Sequence, residues 1–90
     1  MKIAFNYVMG EKQQKRGYSE LRYLILNSLK NGEKTLNELS RTSGVNWKTC
    51  DNHLIWLIGM EWAEEVFSSR YVRIFKITEK GKERLSDGKI

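Results

Sequence analysis

Asn46, Trp47, Lys48 and Asn52, in the run VNWKTCDNHLIWL, are the side chains best suited to recognition chemistry. An asparagine amide carries a donor beside an acceptor, the pair that fits the exposed edge of adenine. A lysine reaches guanine or a phosphate oxygen. Trp47 can lie against a sugar or a thymine methyl, or pack on the preceding helix. The start of a helix adds free amides and the positive end of a dipole, both suited to phosphate. The plain alternative is that Asn46 only caps a helix and Lys48 is a solvated charge. A second set is Ser69, Arg70, Tyr71 and Arg73. Arginine in a hairpin tip can enter a minor groove or grip phosphate, although serine in a turn needs no ligand to explain it. Lys12, Lys15 and Arg16 form a third cluster, either an arm along a polyanion or an ordinary linker.

Other chemistries are poorly served. Cys50 and His53 are spaced to share a metal, but two ligands are too few and no second pair exists. Cys50, Asp51 and His53 do not make a catalytic set, because Asp51 is turned about a third of a helical turn away from Cys50. No glycine-rich loop cradles phosphate. The expectation is therefore no enzyme, no metal, no cofactor and no small-molecule ligand. One cysteine excludes an internal disulfide.

Ninety residues allow one small domain of modest stability, for which dimerisation is a common remedy. Apolar residues make up 40% of the chain, enough for a core. The formal charge is +5 and the pI about 9.5, a balance that fits a polyanion partner. No apolar run is long enough to span a membrane. The first residues, MKIAFNYVMGEKQQKR, lack the pattern of a secretory signal, so a cytoplasmic, intracellular protein is expected.

These side chains need elements to hold them. Residues 1–17 read as an N-terminal arm or strand, with Ile3, Phe5 and Tyr7 on one side, followed by the basic linker GEKQQKRG. Ser19 is placed to cap a helix running to about Lys30, with Leu21, Leu24, Ile25, Ser28 and Leu29 inward and Asn31-Gly32 as its stop. Glu33 and Lys34 suit a very short strand. Thr35 and Glu38 form a capping box for a second helix, with Leu36 and Leu39 inward and an end near Ser43. Gly44 supplies a tight turn, Val45 tucks inward, and Asn46 caps a third helix to about Met60. On that helix Cys50, Leu54 and Leu57 share one face, with His53 and Met60 beside it. From Ala63 the period becomes two: a strand to Phe67, a turn at Ser68-Ser69-Arg70, and a strand over residues 71–77. Thr78 caps a last short helix, EKGKERL, and residues 87–90 are expected to fray. The domain thus spans 18–86. A helix-turn-helix followed by a hairpin is an α+β winged helix-turn-helix: three-helix core, two-stranded wing, short C-terminal helix, N-terminal arm or strand.

Across residues 19 to 85 the sequence resembles winged helix-turn-helix DNA-binding regulators of the ArsR and MarR type, above all small archaeal or archaeal-virus members. The stretch SGVNWKTCDNHLIWL is similar to the family pattern G-hydrophobic-S-x-x-T-V-x-x-H-L-x-x-L. Gly44, Val45, the pair Thr49-Cys50, His53, Leu54 and Leu57 fill its positions. KITEKGKERL matches the family's exit from wing to helix. The resemblance implies a dimeric transcription regulator that reads double-stranded DNA, and it adds Thr49 to the DNA-contacting set. Three positions depart from the pattern. Glu61 stands where the family often has glycine. Asp51 lies near the DNA side, either accepting from cytosine or facing a basic neighbour. Ile55, Trp56 and Ile58 replace polar surface.

The expected function is sequence-specific regulation, with the third helix in the major groove and the wing on the minor groove or backbone. Trp56, Ile55, Ile58 and Trp62, with Phe5 and Tyr7, exceed what one small core needs, which suggests a homodimer surface. A two-fold dimer would set two recognition helices about one turn of DNA apart. Two rivals remain: a winged helix used for protein interaction, and non-specific chromatin-like coating of DNA.

Overall fold

The computed structural model describes residues 17–88 and Ile90. The expected arm, its apolar face and its basic cluster lie outside these residues. Helix α1 spans Tyr18–Leu29, strand β1 Lys34–Thr35, helix α2 Leu36–Ser43 and helix α3 Trp47–Gly59. Strands β2 (Ala63–Ser68) and β3 (Arg73–Ile77) follow, then helix α4, Glu79–Asp87. The sheet is antiparallel in the order β1-β3-β2. It is a winged helix-turn-helix with a third, two-residue strand beside the expected hairpin.

Local chemistry explains most boundaries. Thr35 and Glu38 close the capping box, at 2.9 and 3.1 Å. The backbone amide of Thr35, accepted by Glu38, holds that carboxyl below its ordinary pKa. Gly44 ends α2 at φ 74°, a left-handed conformation that glycine adopts without a Cβ clash. Its amide bonds Ser40 O, while the Ser40 hydroxyl donates to Val45 O at 2.6 Å. Val45 is thereby turned into the core.

Two helix ends differ from the sequence expectation. Ser19 does not cap α1; Gly17 takes that position with no side-chain bond. Helix α4 runs through Ser86 and Asp87 to a Gly88 cap, one turn past its expected end, and Ile90 packs on the core. The cap amide of Gly88 bonds the last-turn carbonyls of Arg84 and Leu85, which holds that extra turn.

The core lies between the three helices and the sheet. Ile25, Leu26 and Leu29 of α1 meet Leu39 of α2, Cys50, Leu54 and Leu57 of α3, and Phe75 of β3, all essentially inaccessible. Leu26 was not in the expected stripe, while Ser28 instead bonds the Thr42 hydroxyl. Burial on this scale contributes roughly 1.5–3 kcal/mol per large side chain. The described part of the apolar excess largely packs into this core. Trp62 is buried, Trp56 and Ile58 pack against the cluster, and Trp56 meets Trp62 edge to face at 5.4 Å. Among the described residues of that expected patch, only Ile55 points into solvent. Among the described residues, no helix is long and apolar enough to cross a membrane.

The junction after α3 is tight. Glu61 sits at φ 65°, where a side chain is strained. Its carbonyl accepts the Thr78 hydroxyl at 2.6 Å, and that hydroxyl also accepts the Gly81 amide. Gly81 lies so close to this turn that a Cβ there would stand 2.1 Å from the Trp62 carbonyl oxygen. Glu61→Gly should therefore raise unfolding free energy by about 0.5–1 kcal/mol. Gly81→Ala should lower it by about 1–3 kcal/mol through overpacking. Urea denaturation of the three chains side by side checks both signs.

Candidate nucleic-acid interface

Helix α3 presents two unlike sides. Its inward side is the buried set Cys50, His53, Leu54 and Leu57. At 100° per residue, that leaves Lys48, Asn52, Ile55 and Gly59 along the outward side, and all four are exposed. Among the described residues no hydrogen bond or ion pair engages the side chain of Lys48 or of Asn52. Both are free to meet a ligand.

The other sequence candidates divide. Asn46 is the N-cap: its Oδ1 accepts the amides of Lys48, at 2.9 Å, and Thr49, at 3.4 Å. With the acceptor engaged, Asn46 cannot bond adenine through both atoms, though its NH2 group still donates. Trp47 is 56% exposed and stands beside the helix start. Thr49 is half-buried and lines a groove between α1 and α3 with Tyr18, Arg22, Asn52, His53 and Trp56.

At the wing tip, Ser69 builds the turn. Its hydroxyl accepts the amides of Tyr71 and Val72, and its own amide bonds Val72 O at 2.9 Å. The turn extends to Val72, two residues further than expected, so β3 begins at Arg73. Arg70 and Tyr71 project from it, Tyr71 87% exposed, with the guanidinium 5.6 Å from the ring. A shallow cleft joins this tip to the start of α2 at Leu36 and Asn37.

Arg73 is differently placed from Arg70. Its Nη1 donates to Asp51 and its Nε to Glu65, both at 2.8 Å. These bonds, Glu65 first, push its pKa above the ordinary arginine value. Arg73 thus ties α3 to the wing. Asp51 faces this basic neighbour, and its Oδ1 is engaged by it.

Sequence reasoning missed Arg22. Its Nε donates to His53 Nδ1 at 3.2 Å, and its guanidinium lies 3.6 Å from the centre of the Trp56 ring. Tyr18 meets the same histidine edge to face at 5.2 Å. The partners are 31 residues apart in sequence, so no local pattern announces them.

Cys50 and His53 have separate partners. The thiol is buried, which raises its pKa, and it contacts Ser43 Oγ and Val45 O. His53 accepts from Arg22. Among the described residues no three His, Cys, Asp or Glu side chains are grouped to hold a metal.

No protein-family model matches the chain, and neither does any curated protein sequence. Solved structures do. The chain is similar to Sso10a-2, a DNA-binding protein from Sulfolobus solfataricus, with TM-score 0.71 and 22% identity over 81% of this chain and 75% of that one. It is similar to Bordetella bronchiseptica BpsR, whose DNA binding is regulated by 6-hydroxynicotinic acid, with TM-score 0.68 and 15% identity over 74% and 49%. It is also similar to the transcriptional regulator PA4135, with TM-score 0.70 and 15% identity over 77% and 53%. The chain therefore spans about half the length of the last two. At these identities the likeness establishes the winged-helix fold.

Burial, then the neighbouring Arg22 charge, lowers the pKa of His53. The unfolded chain thus takes up this proton at a higher pH than the folded one. Stability from neutral His53 is complete above about pH 6.5 and is lost as pH falls through the lower folded value. Glu38 does not interfere, since its depressed carboxyl titrates below its ordinary 4.5. Thermal midpoints should fall between pH 7 and pH 5, and His53→Gln, which keeps an acceptor for Arg22, should flatten that slope.

Proposed function

We propose that the protein is a sequence-specific double-stranded DNA-binding transcription regulator. Helix α3 lies in the major groove and the wing rests on the minor groove or the backbone. One observation carries the reading: α3 buries its apolar side and leaves the side chains of Lys48 and Asn52 exposed on the other, without a partner among the described residues. Asn52 supplies the donor–acceptor fork for adenine, and Lys48 reaches guanine or phosphate. Asn46, as cap, occupies the amides of Lys48 and Thr49, and its own NH2 group donates to a phosphate at the positive end of α3. Trp47 and Thr49 flank that contact. Arg70 and Tyr71 extend from the wing, where a guanidinium suits a narrow groove or a phosphate. Ser69 holds the turn that presents them, and Arg73 holds the wing at a fixed angle to α3. The DNA-binding proteins among the structural neighbours support DNA binding in general.

The acting unit is a homodimer on a palindromic or pseudo-palindromic site, working inside the cell without enzymatic chemistry. Two copies double the phosphate contacts and place two copies of α3 about one DNA turn apart.

The exposed side chains of Val66 and Phe67 on β2 favour a second reading, a protein-interaction module. Titration against random duplexes, then selection of preferred sequences, both across a salt series, separates the readings. Lys48→Ala and Asn52→Ala should flatten sequence preference, each costing about 1–3 kcal/mol at a contacted base. Arg70→Ala should weaken binding to all sequences alike and reduce the salt slope by about one. No salt-dependent binding at low salt would sink the DNA reading in favour of the module. Binding without a selected motif would reduce it to coating.

A further inference from the structure

We propose that Ile55 is a specificity-determining residue of α3 that takes the 5-methyl group of a thymine, next to a base pair read by Asn52. The inference rests on α3 being the DNA-reading helix.

Ile55 is 65% exposed, whereas Leu54 and Leu57 are fully buried and Ile58 packs on the core. It is the one aliphatic side chain of α3 turned fully outward, and it stands on the same line as Lys48 and Asn52. Both flanks of that line are occupied by the fold itself. On one side Asp51 is held by Arg73, and on the other Trp56 is covered by Arg22. An apolar group in the middle of a polar line fits the base edge whose distinguishing feature in the major groove is a methyl group.

Spacing supports the pairing with Asn52. Three residues advance a helix by about 4.5 Å, and base pairs are stacked about 3.4 Å apart. Asn52 and Ile55 therefore face neighbouring pairs, and the favoured site holds two consecutive A·T pairs there.

Gly59 ends the line. A Cβ at Gly59 would meet no atom within 4 Å, so packing does not require glycine. Its φ is not left-handed either. Gly59 is the last residue of α3, and neither packing nor backbone conformation there excludes a side chain. A missing side chain at this point lets a duplex backbone approach α3 closely. An exposed isoleucine and an unneeded glycine on the line of the recognition residues are both accounted for by a DNA surface.

The test uses the full chain. Preferred duplexes are selected, and each thymine in them is replaced in turn by deoxyuridine, which removes only the methyl. The parent protein should bind about four-fold more weakly at one substituted thymine per half-site, the size expected for one buried methyl group. That thymine should adjoin the pair whose preference Asn52→Ala abolishes. Ile55→Ala should bind the thymine and deoxyuridine duplexes equally while still selecting the Asn52 pair. Equal loss in parent and Ile55→Ala, or no deoxyuridine effect at any thymine, overturns the role of Ile55 and leaves the α3 reading standing. A sedimentation change in Ile55→Ala assigns the side chain to a protein contact and also overturns it. Failure to select any sequence overturns the α3 reading, and the inference with it.

Discussion

Burying one side of α3 constrains everything its other side can offer. Cys50, His53, Leu54 and Leu57 recur at helical spacing and are covered by α1, α2 and the sheet. A helix fixed along that stripe can neither roll nor slide without opening cavities in a close-packed core. The outward line from Lys48 to Gly59 is therefore held by packing rather than by any contact of its own. This is what a reading surface requires: polar groups whose position is set before a ligand arrives.

Charge is used in two ways on this molecule. Among the described residues Lys48 and Arg70 have no acidic partner, whereas Arg73 is engaged by Asp51 and Glu65. Exposed ion pairs usually contribute little to stability. A three-membered bracket between a helix and a hairpin has a geometric consequence instead, because it couples the tilt of the wing to α3. The Thr78 hydroxyl does a similar job at the other end, bridging the turn after α3 and the start of α4. Between these two ties, the short strands have little freedom relative to α3.

The neighbours of known structure share the fold at 15–22% identity. That combination follows from what the fold needs. It asks for apolar side chains at given spacings, a few caps and one tight turn, and many sequences satisfy such demands. Recognition asks for particular side chains at a few exposed positions, so it varies while the scaffold persists.

The sequence by itself determined the element order, the Thr35–Glu38 capping box, the Gly44 turn, the Asn46 cap and the buried face of α3. Each follows from contacts within about four residues or from a period that a short window reveals. Tertiary structure alone decided the rest. Trp56 and Trp62 pack inward because α1 supplies Arg22 over the first ring and α4 supplies Arg84 over the second. Arg73 and Asp51 found each other across 22 residues, and Arg22 found His53 across 31. Glu61 adopted a left-handed backbone because the chain must turn there to bring Trp62 under α4. Long-range partners are set by how packed elements meet, and no local spacing encodes that meeting. For the same reason, local pattern and the family resemblance together proposed nine contact residues, and packing separated those left exposed from those committed to holding the fold.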